Sequence, residues 1–455
     1  MNAPKDRWSS RAGFLLATIG SAVGIGSIWK FPYEVGANGG GAFVLCYVAG
    51  LIFIVVPLLF AEFAIGRRGG GDAGASILAA AGSPGAGGRW SGVGTLGVVT
   101  GFLILSFYSV IGGWTLGYAI ETALHGLAGA NPAAVKARYD AFLAAPGNMT
   151  LYHGIFMAAT ALIVARGVAH GIESASKVLM PVLFVLMLAL AAYSITEGDF
   201  TATLRYLFVP DLAHLTARTA LDALGLGFFS IGVGLGLMIT YAAHAGADLN
   251  LRQIALWSVV ADTMISMLAG FAVFPIVFAH GLDPAGGAGL VFFTLPIAFA
   301  QMPLGTLAAS AFFLLLFVAA LASAISMLEL VVAMLMRRTR WTQGRASAVA
   351  AGACFVAGIA TVLSFNAWSG WHPLASLGGK LASATFFDVL DELTSNVLLP
   401  LGGLGLTLFA GWGMPARVLG DELGTRPAGT RVLRALLRYV APAAIIMVAV
   451  GNLFA

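Results

Sequence analysis

Charge is scarce in this sequence. Asp, Glu, Lys and Arg supply 10% of its 455 residues, against about 25% in soluble domains. So few ionic groups cannot solvate a globule of this size, which excludes a water-soluble enzyme and a string of soluble domains alike. Cysteine is rarer still. Cys46 and Cys354 both sit inside apolar stretches, where they read as packing residues rather than a disulfide, and no Cys/His spacing suggests a metal site. Among the seven histidines, His153, His170, His244 and His280 fall at or near the ends of apolar runs. With no HExxH and no paired acids, membrane-embedded catalysis finds no support. There is no GxxxxGK[ST], so no ATP hydrolysis is implied.

What is present is apolar. Hydrophobic residues make up 59% of the chain, with 59 Gly and 30 Phe, and mean hydropathy is +0.92. This composition excludes disorder and collagen and fits a helical membrane protein, in which Gly lets helices approach closely. The start, MNAPKDRWSSR, is too polar for a cleaved signal peptide, so the first apolar segment reads as a retained span.

A bilayer core of about 30 Å takes about 20 helical residues. On that scale the sequence predicts eleven spans, at 12–36, 41–66, 95–122, 151–166, 174–195, 222–243, 253–280, 304–336, 345–365, 385–412 and 432–454. The run 284–303 carries Pro284, Pro296 and Pro303 and reads as a helical hairpin loop outside the membrane. With the N-terminus inside, 18 of the 24 Lys and Arg fall in inner loops and 5 in outer loops, Lys30 lying within the first span. The positive-inside rule therefore places the N-terminus in the cytoplasm and explains the basic balance without nucleic acid.

Two spans contain glycine clusters. The first holds Gly13, Gly20, Gly24 and Gly26; the sixth holds Gly225, Gly227, Gly232, Gly234 and Gly236. Val23-Gly24-Ile25-Gly26 and Val233-Gly234-Leu235-Gly236 are near copies, 210 residues apart, at the middle of spans that run in opposite directions. Interior Gly costs a helix about 1 kcal/mol relative to Ala, so each cluster invites unwinding. Unwound backbone is tolerated at that depth only where it lines a cavity. Its bared carbonyls can ligate a cation and its N–H groups a carboxylate. Close packing through small residues is the alternative for either cluster alone; the matched pair points to a binding site between inverted repeats.

RAGFLLATIGSAVGIGSIWKFPYEVGANGGGAF, PLLFAEFAIGR, FYSVIGGWTLGY, FFSIGVGLGLMITY, FFTLPIAFAQMP and LTSNVLLPLGG resemble, in order, landmarks of the neurotransmitter:sodium symporters. The resemblance extends from Arg11 to about Trp412. It implies an all-α LeuT-type fold with a five-plus-five inverted repeat (about 11–195 and 222–412), helices one and six broken, and the span 432–454 added. The whole chain, 1–455, would be a single transporter domain of a bacterial-type inner membrane.

The resemblance also implies site residues. The substrate would lie between Ala22, Gly24, Ile25 and Gly26 on one side and Phe229, Ser230, Gly232 and Leu235 on the other, with Ile104, Tyr108, Ser323 and Met327 completing the pocket. Its amine would meet carbonyls of Ala22, Phe229 and Ser230; its carboxylate would meet the N–H groups of Ile25 and Gly26 and the Tyr108 hydroxyl. Monoamine carriers of the family have an acid where this chain has Gly24, so the substrate is expected to bring its own carboxylate. No charged group lines the pocket, so a neutral, hydrophobic side chain is expected.

The expected co-substrate is Na⁺, one or two ions, with no organic cofactor. Site one maps to Ala22, Ser27, Ser230 and the intramembrane acid Asp262. Site two maps to Gly20, Val23, Ala319 and Ser323, with Ala322 where the family has a fifth oxygen ligand. Asp262 would replace the charge of chloride, so transport is expected to be chloride-independent. Lys30 and Asp391 match the external ionic gate above Tyr108 and Phe229. Lys5, Trp8 and Tyr241 match the cytoplasmic latch, whose acidic partner is replaced by Arg337. The Ala322 departure keeps a second reading alive: a sodium-independent or proton-coupled exchanger, or a non-transporting sensor. The partners implied are an amino acid and the bilayer, with no obligatory protein.

Overall fold

The computed structural model describes residues 7–82, 84–127, 130–284, 292–293, 295–377 and 382–454. Among these residues every regular element is a helix. We number them in chain order. The first half contains α1 (Arg11–Ala22), α2 (Gly26–Ala37), α3 (Gly41–Gly69), α4 (Ala73–Ala80), α5 (Pro84–His125), α6 (Pro132–Leu143), α7 (Pro146–Val164), α8 (Val168–Glu197) and α9 (Phe200–Phe208). The second contains α10 (Ala217–Ile231), α11 (Leu237–Ala242), α12 (Leu251–Ala279), α13 (Leu295–Gln301), α14 (Gly305–Thr339), α15 (Gln343–Ser364), α16 (Phe386–Gly413), α17 (Ala416–Leu423) and α18 (Pro427–Gly451).

The sequence starts many of these helices with a polar cap. Ser10, Asp72, Asn131, Asp199, Thr216, Asn250 and Thr342 each accept the backbone N–H three residues on, which satisfies one of the orphan donors of a first turn. Apolar side chains then divide between two surroundings. Phe14, Phe63, Phe156, Phe274 and Phe313 are fully buried, whereas Phe53, Leu151, Leu162, Val185 and Val356 are exposed. In water such a belt would drive aggregation; here it is the lipid-facing surface.

Nine helices among the described residues are long and apolar enough to cross a bilayer, and α1 with α2, bent by 54°, makes a tenth. The sixth expected span, 222–243, is present as α10 and α11, neither long enough to cross alone. The short fourth span gains length because its helix begins at Pro146. Within the expected hairpin 284–303, residues 285–291 and 294 lie outside the described residues. The remainder includes α13, whose Leu295–Ala300 are buried against α14; Pro296 sits in its first turn, where no N–H is required.

Both glycine clusters break their helices. α1 stops at Ala22, with Val23 extended at φ −79°, ψ 100°. After α10 the chain passes through Gly232, Gly234 and Gly236 at φ 67°, 97° and 81°, left-handed values that glycine alone adopts cheaply. A Cβ on Gly234 would also stand 2.8 Å from the Gly403 nitrogen. The sixth helix is therefore broken both by backbone conformation and by the close passage of α16.

Candidate functional site

The two breaks face each other across a small chamber. It is lined by Ser21, Gly24 and Gly26 from the first break, Ile104 and Tyr108 from α5, and Phe229, Ser230, Gly232, Leu235 and Leu237 around the second. Ser323, Ser326 and Met327 of α14 and Leu399 of α16 close it. Its volume is about 40 Å³, room for one or two waters rather than an amino-acid side chain. Among the described residues no charged side chain lines it.

The bared backbone is partly satisfied. Ile25 donates its N–H to the Tyr108 hydroxyl at 3.1 Å, so this donor, expected to face a carboxylate directly, is paired with tyrosine. A buried N–H needs a partner, and α5 supplies one. Ser323 donates toward the Val23 and Ser21 carbonyls at 3.3 and 3.5 Å. Gly24 admits no side chain: a Cβ would stand 2.6 Å from Ser323 Oγ and 2.9 Å from the Tyr108 hydroxyl.

Behind the chamber lies a cage of hard oxygens. Ser27 donates to Asp262 Oδ1 at 2.6 Å, and its hydroxyl lies 2.9 Å from Ser230 Oγ. Ser230 Oγ lies 3.1 and 3.0 Å from the two Asp262 oxygens. Tyr47 donates to Oδ2 at 3.2 Å. Asp262 is fully buried, and a carboxylate with only neutral hydroxyls around it is an anionic oxygen site that fits a small hard cation. The donors of this cage are all oxygen, one carboxylate and three hydroxyls, a set that suits a hard alkali cation.

The remaining predicted residues divide. Ala22 is buried at the end of α1, outside the chamber lining. Gly20 and Ala319 are buried, and the Ala322 methyl lies 3.4 Å from where a Gly20 Cβ would be. That corner offers hydrocarbon where an oxygen was sought.

Above the chamber a cavity of about 1200 Å³ reaches down to Gly26, Tyr108 and Phe229, which line both spaces and form the floor between them. Lys30 and Asp391 stand on its walls. They form no ion pair; Lys30 Nζ instead lies over the Phe229 ring, 4.7 Å from its centre, and Asp391 accepts from Ser395 at 3.0 Å. The expected external pair is thus not formed here, each group having taken another contact at the edge of the cavity.

The opposite side is shut. Trp8 donates to the Tyr241 carbonyl at 2.9 Å and packs edge-on against its ring. Lys5 lies outside the described residues. Arg337 pairs with Asp72, the cap of α4. The acid that closes this side is one the sequence reading did not single out: Glu173, fully buried, accepts from the Ser9 N–H at 2.7 Å and from the Ser9 and Ser10 hydroxyls at 2.6 and 2.7 Å, and pairs with Lys177 at 2.7 Å. Glu62 was missed too. It is fully buried and accepts the Gly234 N–H at 2.7 Å. For Glu62 the available signal was an acid within an apolar run, the argument already applied to Asp262; Glu173 falls in the polar stretch between the expected spans 151–166 and 174–195, where that argument does not reach.

Two helices broken face to face, with an oxygen cage beside a neutral chamber, define a membrane transporter for an ion and a small solute. Residues 5–133 and 141–389 match the sodium:neurotransmitter symporter family. The chain is 38% identical over 450 residues to an uncharacterized sodium-dependent transporter of Bacillus subtilis, YhdH, covering 97% of this chain and 96% of that one. It is 31% identical to an uncharacterized sodium-dependent transporter of Haemophilus influenzae, covering 100% and 99%. The crystal structure of MhsT in complex with L-phenylalanine superposes with a TM-score of 0.89 at 39% identity, covering 99% of this chain and all of that one. The chain belongs to the sodium:neurotransmitter symporter family, and its all-helical architecture is that of this fold.

Proposed function

We propose that this protein couples the downhill entry of Na⁺ to uptake of a neutral, hydrophobic L-amino acid, without need of chloride. The observation that carries the reading is the adjacency of an uncharged chamber and the Ser27–Ser230–Asp262 cage. Gly24 leaves no acid to hold a lone amine, so the solute supplies its own carboxylate, close enough to the cage to serve as an ion ligand. Ion and solute then bind together, which makes coupling direct. L-Phenylalanine bound to MhsT supports an aromatic or aliphatic side chain.

The mechanism follows from the two closures. Solute enters the 1200 Å³ cavity and passes Tyr108 and Phe229. The side chains around the 40 Å³ chamber must repack to admit it, with unbranched Met327 and Phe229 as the mobile walls. Occupation favours an occluded state, and loss of the Trp8 and Glu173 contacts opens the far side, facing the cytoplasm. The halves 11–195 and 222–412 would move as the two repeats, in an inner membrane with the N-terminus inside.

The test is thermal-shift screening of the purified protein against the twenty amino acids in NaCl and in KCl, followed by uptake in proteoliposomes. Stabilisation by hydrophobic amino acids only in NaCl, with uptake unchanged when gluconate replaces chloride, is expected. Stabilisation by charged amino acids, or uptake lost in gluconate, would contradict it. The hydrocarbon corner at Ala322 favours one second reading, sodium-independent exchange; counterflow that persists in KCl would establish it.

A further inference from the structure

The segment 424–455 contains four arginines and no acid. Three of them, Arg431, Arg434 and Arg438, follow at intervals of three and four and share one face of α18, where like charges repel. Arg434 donates from Nε to the Gly411 carbonyl at 3.0 Å and from Nη2 to the Met414 carbonyl at 3.2 Å. Arg438 donates from Nε to the same Gly411 carbonyl at 2.6 Å. Two guanidinium groups therefore meet on one oxygen at the end of α16. Gly411 allows the approach, since a Cβ there would lie 2.9 Å from Arg438 Cγ.

Neither arginine has an ion-pair partner among the described residues. The nearest acids in sequence are Asp421, which is exposed, and Glu422, which is committed to Arg67 and Arg68. The Nη groups of Arg438 and Nη1 of Arg434 make no hydrogen bond to described residues. Beside them lie Trp412 and Tyr439, 55% and 60% exposed and edge-to-face at 5.9 Å, with Arg438 stacked over Trp412 at 4.8 Å. Beyond Tyr439 an exposed apolar strip runs along α18 through Ile446, Met447 and Val450.

Unspent planar donors, an interfacial aromatic pair and an apolar track are the three parts of a phospholipid site: headgroup, interface and acyl chain. We propose that Arg434 and Arg438, with Trp412 and Tyr439, seat the phosphodiester of an anionic phospholipid on the arginine-rich face of the membrane, its acyl chains lying along α18. The lipid supplies the negative charge that the protein omits at this corner.

The full chain, purified and reconstituted in nanodiscs of phosphatidylcholine with and without phosphatidylglycerol, is scored by retained lipid in native mass spectrometry and by thermal melting. Phosphatidylglycerol is expected to be retained and to raise the melting temperature. Arg438→Gln is expected to reduce retention about fivefold and to remove the phosphatidylglycerol-dependent rise, while melting in phosphatidylcholine alone stays near wild type. Trp412→Leu leaves both carbonyl bonds in place and is expected to weaken retention in the same direction, which covers the case in which an arginine variant fails to fold. Equal retention by both variants would overturn the proposal. So would an equal loss with Arg417→Gln, an exposed arginine outside the seat, since that would mean undirected surface charge. The same melting rise produced by inorganic phosphate in phosphatidylcholine discs would also overturn it, by making the ligand a free anion.

Discussion

In the proposed reading, Gly24 and Tyr108 are the residues at which single atoms select the solute. Aspartate at position 24 would push a Cβ into Ser323 Oγ and the Tyr108 hydroxyl, at 2.6 and 2.9 Å, and would place a second carboxylate beside the one the proposed amino-acid solute brings. Gly24→Asp is therefore expected to lower amino-acid affinity by more than about tenfold, or about 1.4 kcal/mol, with no gain of amine binding, both measured by scintillation proximity. Tyr108→Phe removes the acceptor of the Ile25 N–H. It also removes the hydroxyl proposed to meet the solute carboxylate, and a hydrogen bond to a charged group is worth about 1.5–3 kcal/mol, so this variant should bind solute roughly 10- to 150-fold more weakly in the same assay, with sodium-only stabilisation largely retained.

At the scale of the element, the sixth helix is held open from two sides. Glu62 takes the Gly234 N–H, while Gly402, where a Cβ would stand 2.5 Å from the Gly234 carbonyl oxygen, lets α16 press against the break. Gly234→Ala must both adopt φ near 97° and displace the Gly403 backbone. A left-handed alanine alone costs on the order of 1–3 kcal/mol, so a marked drop in melting temperature is expected, and binding that survives unchanged would show that the break is looser than its geometry. This element was readable in advance, because clustered glycine in an apolar span has a local cause and a local effect. The collar of Glu62 and Gly403 was not, since each lies far along the chain from the residue it supports.

For the whole molecule the balance lies between the open cavity over Phe229 and the shut side under Trp8. Glu173 joins α8 to the chain entering α1 across 164 residues of sequence, and Gly13 leaves the space that its carboxylate fills. Glu173→Gln weakens three charge-assisted contacts and the Lys177 pair. It is expected to shift the population toward the side now closed. In a background lacking Cys46 and Cys354, Ser326→Cys should then be labelled several-fold faster by a membrane-impermeant maleimide added from the arginine-rich face; an unchanged rate would assign Glu173 a purely structural role.

The sequence alone determined that this chain lives in a bilayer and where its helices break, because hydropathy and glycine act over a single turn or span. Gly24, Gly26 and Gly232 were legible in that way; Tyr108, Phe229, Ser230, Ser323 and Met327 were legible only through the family the chain resembles, and Ser21, Leu237, Ser326 and Leu399 of the lining were not legible at all. The tertiary structure alone decided that Lys30 rests on Phe229 rather than on Asp391, that Arg337 answers to Asp72, and that Glu173 takes over the inner closure. Those pairings form between side chains on separate helices, and their choice depends on how far apart the helices stand, a distance no periodicity in the sequence encodes.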